Sequence, residues 1–177
     1  MRCLFGALFG VLAIVAMSAE PVGAGSVEVK GPHICCGACV KAVGKILEKV
    51  DGVSGAMADA KTKTVTFTAK DEAAAKAGVK AIFEGGFYGK ATDDGKELKV
   101  AVGGVKKGDK VESVTVKNVH ACCGLCHKEI KGLFADSKVS FEGTGAQRTV
   151  LIEGGNLEAS AVLQALRKAG FNGTIQK

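Results

Sequence analysis

Alternation of apolar and polar residues marks the first strands of the chain, which lie beyond an apolar stretch at its beginning. Residues 27–30 read Val-Glu-Val-Lys, the period-two pattern of a strand with one buried face. The segment 64–68, Thr-Val-Thr-Phe-Thr, alternates in the same way and is rich in β-branched residues, which favours another strand. A weaker strand is predicted over 53–58, between these two.

Apolar residues at helical spacing fill the intervals between these strands. Val43 and Leu47 lie one helical turn apart within an apolar-periodic segment, which predicts a helix after the first strand. Asp71 begins an alanine-rich segment that ends at Gly85 and Gly86, as expected for a helix with a C-terminal glycine stop. A short final strand is predicted after the glycines.

The second half of the chain repeats this order. Its predicted elements are a strand around Val114, a helix around Ile130, strands near 138–142 and 148–153, a helix over 157–169 and a strand at 173–176. Both halves therefore follow the order βαββαβ. The predicted fold class is α+β, with two tandem ferredoxin-like βαββαβ domains, each an antiparallel sheet with two helices on one face.

A cysteine motif supports the duplication. The pattern H-x-C-C-G-x-C occurs at 33–39 and again 87 positions later at 120–126, and these copies hold six of the seven cysteines. A second match, Gly-Phe-x-Gly, joins 86–89 to 170–173 at an offset of 84, so three residues are missing from the second copy.

These matches define the predicted domains. They span 25–92 and 111–177 and are joined by a linker at 93–110 that is rich in Gly, Lys and Asp. Within the linker, the apolar segment 98–102 could pair as an extra edge strand.

The beginning of the chain resembles a secretory signal peptide. Met1 and Arg2 precede an apolar stretch over 3–17, and small residues follow it. Cleavage after Ala24 fits a small-x-small site best, and cleavage after Ser18 is the alternative. We expect a signal peptide at 1–24 and a periplasmic or otherwise extracytoplasmic location. The apolar stretch is shorter than the roughly 20 residues of a membrane-spanning helix, so no membrane insertion is expected after cleavage. Retention as an uncleaved anchor is the alternative.

Composition excludes several functional classes. The formal net charge of +6 is spread along the chain and tryptophan is absent, so nucleic-acid binding has little support. The three histidines all lie in or beside the cysteine motifs, and neither a Ser-His-Asp pattern nor a pair of carboxylates recurs in both halves. We therefore expect that the protein is not an enzyme.

The cysteine motifs carry the candidate chemistry, because thiolates are soft ligands and two of them separated by two residues can bind one ion. A near-linear pair suits Cu(I) or Hg(II), whereas Zn(II) prefers a tetrahedral set such as three cysteines and a histidine. Neighbouring side chains in an extended loop diverge, so adjacent cysteines are not assumed to face one ion. The candidate ligands are the C-x-x-C pairs Cys36, Cys39, Cys123 and Cys126, followed by Cys35, Cys122, His33 and His120.

Taken together, the C-x-x-C loop after the first strand, the βαββαβ order and the glycine-aromatic pair before the last strand resemble the heavy-metal-associated domain family. Copper chaperones and the periplasmic mercury-binding protein belong to it. The resemblance implies ligands at the second and third cysteines of each motif. It also implies a partner such as a metal-transporting membrane protein or another carrier. Ile34 and Ala121 replace the family methionine, while Phe87 and Phe171 match the aromatic that lies near the loop.

We therefore predict an exported carrier or buffer of soft or borderline metal ions, Cu(I), Zn(II) or Hg(II), with about one ion per domain. A helix beginning beside the sulfurs would favour the thiolate. Two alternatives are open: thiol–disulfide redox chemistry at the C-x-x-C pairs, and purely structural disulfides. His33 and His120 could instead brace their loops by hydrogen bonds. His127 has no counterpart in the first motif and is expected at an exposed helix position.

Overall fold

The structure is a computed structural model that describes residues 25–104, 106–108 and 110–176. The predicted signal peptide at 1–24 lies outside the described residues. The N-terminal half contains β1 (Gly25–Lys30), α1 (Gly37–Leu47), β2 (Val53–Asp59), β3 (Thr64–Ala69), α2 (Glu72–Glu84), β4 (Lys90–Asp93) and β5 (Lys96–Glu97). The C-terminal half contains β6 (Val111–His120), α3 (Gly124–Leu133), β7 (Lys138–Glu142), β8 (Gln147–Leu157), α4 (Ala159–Lys168) and β9 (Thr174–Ile175).

Two antiparallel sheets organise these elements. Their strand orders are β2-β3-β1-β4-β5 and β7-β8-β6-β9, so the first strand of each half lies centrally, between its third and fourth strands. In the first sheet Val27 pairs with Phe67 and Val29 with Val65, and all four side chains are buried. The mixed α/β structure with four helices and two antiparallel sheets agrees with the expected ferredoxin-like fold.

Hydrophobic periodicity explains which helix faces are buried. Cys39, Val43 and Leu47 of α1 lie on one buried face, as do Val79 and Ile82 of α2. The N-terminus of α2 is capped by the side chain of Asp71, which accepts a hydrogen bond from the N–H of Ala74, so the helix begins one residue after its predicted start. Burial of these faces joins the helices of each half to its sheet.

Element boundaries differ from the prediction at two places. The extra edge strand is Lys96–Glu97, which pairs with β4, and not the apolar segment 98–102. The backbone N–H of Leu98 donates to the carbonyl of Ala91, after which the chain leaves the sheet. Strand β8 extends to Leu157 because its pairing with β6 continues through register shifts, so α4 begins later than expected.

The two halves contact each other through the glycine-aromatic segments. Phe87 and Phe171 form an isolated antiparallel bridge. The N–H of Tyr88 donates to the carbonyl of Gly170, and the N–H of Asn172 donates to that of Gly86, each over 2.9 Å. This exchange is reciprocal, because each half offers the same type of segment to the other.

The contact between the halves is tightly packed. Gly86 and Gly170 have φ of +92° and +86°, and a Cβ atom at either position would overlap backbone atoms of the opposite half. The side chain of Asn172 is buried and donates to the carbonyl of Phe83 over 2.8 Å. Buried apolar residues of both halves form one continuous hydrophobic cluster.

Among the helices that the structure describes, none combines the length and the apolar character needed to cross a lipid bilayer.

Candidate metal centre

Each cysteine motif lies between the first strand and the first helix of its half. Cys36 and Cys123 stand immediately before α1 and α3 in extended backbone conformations, with φ of −159° and −149°. Cys39 and Cys126 lie in the first helical turn and are fully buried, whereas the other four motif cysteines are half-buried. The helix start therefore holds each C-x-x-C pair on one side of its loop.

Within each loop, the C-x-x-C sulfurs are close together. The Sγ atoms of Cys36 and Cys39 are 3.7 Å apart, as are those of Cys123 and Cys126. All six motif cysteines are free thiols, since a disulfide bond would bring its two sulfurs to about 2.05 Å.

The two loops face each other, which the sequence did not reveal. The Sγ atom of Cys35 lies 3.5 Å from those of Cys123 and Cys126 in the other loop. The Sγ atom of Cys122 lies 3.8 Å from that of Cys36 and 3.6 Å from that of Cys39. The six sulfurs consequently form a single group, which we call the six-thiol cluster, at the contact between the two halves.

The extra cysteines belong to this cluster. Cys35 and Cys36 are adjacent in an extended loop, and we expected their side chains to diverge. The structure instead places both sulfurs within 4.8 Å of each other and of Cys123. The third sulfur comes from the opposite loop, so this arrangement could not be inferred from one loop alone.

The two motif histidines are buried beside the cluster. His33 and His120 are 6% and 2% exposed, and the Nε2 atom of each has no hydrogen-bond partner among the residues that the structure describes. A ring nitrogen of His33 lies within 4.8 Å of the sulfurs of Cys35 and Cys126. Burial lowers the pKa of His33, which favours the neutral imidazole that a metal ion requires. Their assignment as metal ligands stays a prediction.

Aromatic rings from the opposite half hold these imidazoles in place. His33 stacks on Phe171 and His120 stacks on Phe87, with ring centroids 4.2 Å and 4.3 Å apart. The resemblance placed Phe87 and Phe171 near a metal loop, and each proves to contact the histidine of the other half's loop. The repeated Gly-Phe segment was the available sequence signal for this contact.

The close packing of the thiols gives them different pKa values. The pKa of Cys39 is lowered chiefly because the Cys126 thiol donates a hydrogen bond to it, and the pKa of Cys126 is correspondingly raised. The N–H of Cys126 lowers the pKa of Cys123 to about 7, whereas burial raises that of Cys35 to about 12. The cluster thus contains sulfurs that favour the thiolate beside sulfurs that retain a proton.

His127 differs from the expectation of an exposed helix position. It is half-buried, its ring stacks on Phe141 with 4.0 Å between centroids, and its Nε2 atom lies 3.2 Å from the Ala121 carbonyl oxygen. This side chain therefore braces the second loop. The equivalent residue in the first loop is Val40, so the two loops are supported differently.

Comparison with known proteins supports the interpretation of the first half. The family described as the heavy-metal-associated domain matches residues 32–85, which is less than a third of the chain. Neither the curated proteins nor the solved structures contain a significant match. The match includes the first cysteine loop, both helices of the N-terminal half and the two strands between them. Residues 32–85 therefore form a heavy-metal-associated domain, and the cysteines clustered within it and against it indicate heavy-metal binding.

Proposed function

We propose that this chain is an exported, non-enzymatic carrier or buffer of soft metal ions, and that its two halves are tandem heavy-metal-associated domains. The observation that carries the proposal is the six-thiol cluster, in which sulfurs of the two loops approach to 3.5–3.8 Å. Thiolates select soft ions, so Cu(I) and Hg(II) are the preferred cargo and Zn(II) is the borderline case.

Sulfur spacing supports ion binding by this cluster. A metal–sulfur bond of about 2.3 Å lets one ion bind two sulfurs at any separation up to about 4.6 Å. The C-x-x-C sulfurs, 3.7 Å apart in both loops, satisfy this condition without rearrangement of the backbone. The contacts between the loops satisfy it as well, which favours ions held jointly by both halves.

Partial exposure supports a role in transfer. Cys35, Cys36, Cys122 and Cys123 are half-buried, so a thiolate of a partner protein can reach a bound ion from that side. Stepwise exchange then moves the ion: the incoming thiolate binds, and one cysteine of this chain is released. A metal-transporting membrane protein or another metal carrier is the corresponding partner.

The assignment of the C-terminal half rests on its similarity to the N-terminal half. Both contain the order βαββαβ, the same arrangement of strands and the H-x-C-C-G-x-C motif in the same loop. Duplication of a metal-binding domain explains all three features together.

Native mass spectrometry tests this function. The full chain is reduced anaerobically, exposed to mixed Cu(I), Zn(II) and Hg(II), and measured before and after thiol alkylation. We expect soft-ion adducts that alkylation abolishes. Met57→Ser is the matched control, because this sulfur-containing side chain is 70% exposed and lies outside the cluster; it should leave metal binding unchanged.

A different result would favour the redox alternative. If the reduced protein retains no metal, and the protein taken from its native compartment has lost two hydrogens for each disulfide, then thiol–disulfide chemistry replaces metal binding as the function.

A further inference from the structure

We propose that the six-thiol cluster binds four monovalent soft ions, such as Cu(I), in one thiolate-bridged centre, and not one ion in each loop. This inference rests on the proposed function and deepens it. It specifies how many ions are bound, their charge, and the bridging role of each cysteine.

Triads of sulfurs carry the inference. Several sets of three sulfurs have all their members within 4.8 Å of one another, and three of these sets together include all six cysteines. These sets are Cys35, Cys36 and Cys123; Cys36, Cys39 and Cys122; and Cys122, Cys123 and Cys126.

A fourth triad completes the centre. The Sγ atom of Cys35 lies 3.7 Å from that of Cys39 and 3.5 Å from that of Cys126. Cys35 therefore contacts Cys39 in its own loop and Cys126 in the other loop, which joins these two sulfurs through a shared neighbour. This triad takes two cysteines from the first loop and one from the second.

The four triads use the six sulfurs evenly. Each cysteine belongs to two triads. Cys35 belongs to the triad with Cys36 and Cys123 and to the triad with Cys39 and Cys126. Cys36 and Cys39 also share the triad with Cys122. The second loop follows the same rule. Four three-coordinate ions, one in each triad, would therefore be linked by six sulfurs that each bridge two ions, with no sulfur left over.

The separations between the sulfurs fit three-coordinate ions. An ion about 2.3 Å from each of three sulfurs requires those sulfurs to be about 4 Å apart. Contacts of 3.5–3.8 Å within the cluster need only a small expansion to reach this value. One ion per C-x-x-C pair would leave Cys35 and Cys122 without a role, although both contact sulfurs of the opposite loop.

Charge favours monovalent ions. Counted from six neutral thiols, six RSH and four M⁺ give one M₄(SR)₆ centre of charge −2 and six H⁺. The beginnings of α1 and α3 both lie at the cluster, and each helix N-terminus supplies about half a positive charge. Each triad offers three sulfurs, one fewer than the four ligands that Zn(II) prefers.

Anaerobic titration of the reduced full chain with Cu(I), supplied as its acetonitrile complex, tests the proposal. Native mass spectrometry should show saturation at four Cu(I) per monomeric chain, with forms carrying one to three ions sparsely populated because the bridging sulfurs couple the sites. X-ray absorption should show copper neighbours beside the sulfur shell. Saturation at two ions per chain would overturn the four-ion centre while leaving the proposed function intact, whereas absence of soft-ion binding would remove both.

Cys35→Ser separates the two stoichiometries further. This cysteine lies outside both C-x-x-C pairs but belongs to two triads, so its loss should reduce the capacity from four ions to two or fewer. Independent loops would bind the same number of ions in both proteins, and that result contradicts the proposal. Circular dichroism verifies the fold of the Cys35→Ser variant. The control Met57→Ser should retain four ions. If Cys35→Ser does not fold, the number of ions bound by the unaltered chain decides between four ions and two.

Discussion

The imidazole of His33 stacks on the phenyl ring of Phe171, which belongs to the opposite half of the molecule, with 4.2 Å between the ring centroids. The backbone N–H of His33 also donates to the carbonyl of Gly170 over 3.0 Å. The residue that begins the first cysteine motif is thus positioned by the other half. Any change that separates the halves should therefore alter metal binding as well as stability.

Substitution of Gly170 tests this coupling. In Gly170→Ala, the new Cβ would overlap the backbone of Gly31 and His33, so we expect the halves to shift apart. The free energy of unfolding, measured by urea unfolding, should fall by more than the cost of backbone strain alone. The number of bound soft ions, measured by native mass spectrometry, should also fall.

Gly143→Ala is the matched control. Gly143 has nearly the same backbone conformation, with φ of +89° against +86°. Apart from its two chain neighbours, no described residue comes within 4 Å of its Cβ position. In Gly143→Ala the free energy of unfolding should fall only by the strain expected for a left-handed residue, about 1–2 kcal/mol. Metal binding should be unchanged. Equal effects of the two substitutions would show that the contact between the halves does not support the metal site.

Asn172 supplies a second test of the contact. Its buried side chain donates to the Phe83 carbonyl over 2.8 Å and accepts from Nε of Arg167 over 2.9 Å. Asn172→Ala leaves a buried carbonyl without its donor, so the free energy of unfolding should fall by about 1–3 kcal/mol. Gln147→Ala removes an exposed amide and should change it by less than about 0.5 kcal/mol. The free energies of unfolding of both variants are compared by chemical denaturation. Similar losses in the two variants would refute the role of the buried amide.

Metal removal should weaken the folded state. Ions bound by the folded cluster stabilise it by mass action, by about 2.7 kcal/mol when the free ion is at 100 times its Kd. We expect the reduced protein to unfold at a higher temperature with Cu(I) than without it. Cys39→Ser removes a fully buried sulfur of the cluster and should diminish this increment. An unchanged melting temperature on addition of the ion would contradict binding to the folded state.

The ionisation of Asp93 should make the stability of the folded protein depend on pH. Within the described part of the chain, its Oδ1 atom is buried without a hydrogen-bond partner. Burial raises its pKa above the ordinary 3.8, with Asp94 and Glu72 adding to the effect. The folded protein therefore binds this proton more tightly than the unfolded chain. The stabilising contribution is complete below pH 3.8 and is lost as the pH rises through the elevated pKa.

Asp93→Asn should therefore raise the urea midpoint at pH 7 and have little effect near pH 3. Asp59→Asn is the control, because backbone N–H groups of Lys61 and Thr62 lower the pKa of that carboxylate. Its substitution should not stabilise the protein at pH 7. A gain for Asp93→Asn that is independent of pH would exclude ionisation as its cause.

The order of elements was predictable from the sequence because its signals are local. Alternation over 27–30 and 64–68 marks strands that the structure contains, and the glycines at 85 and 86 follow the end of α2 at Glu84. The end of β8 was not predictable, since its length depends on pairing with β6 across register shifts.

The candidate ligands were likewise visible in the sequence, but their assembly was not. The C-x-x-C spacing is set by one helical turn, so the closeness of Cys36 and Cys39 follows from local geometry. Contacts such as that between Cys35 and Cys123 join residues 88 positions apart and depend on how the halves dock. Identical motifs in two loops do not specify whether those loops meet.

The reciprocal bridge between Phe87 and Phe171 has a consequence for dilute solution. A surface that binds its own equivalent is the type that joins two identical subunits, and such a pair dissociates when its concentration falls. Here a covalent connection keeps the partners together, so their encounter does not depend on how many protein molecules are present. The six thiols can therefore remain assembled at protein concentrations at which two separate domains would dissociate.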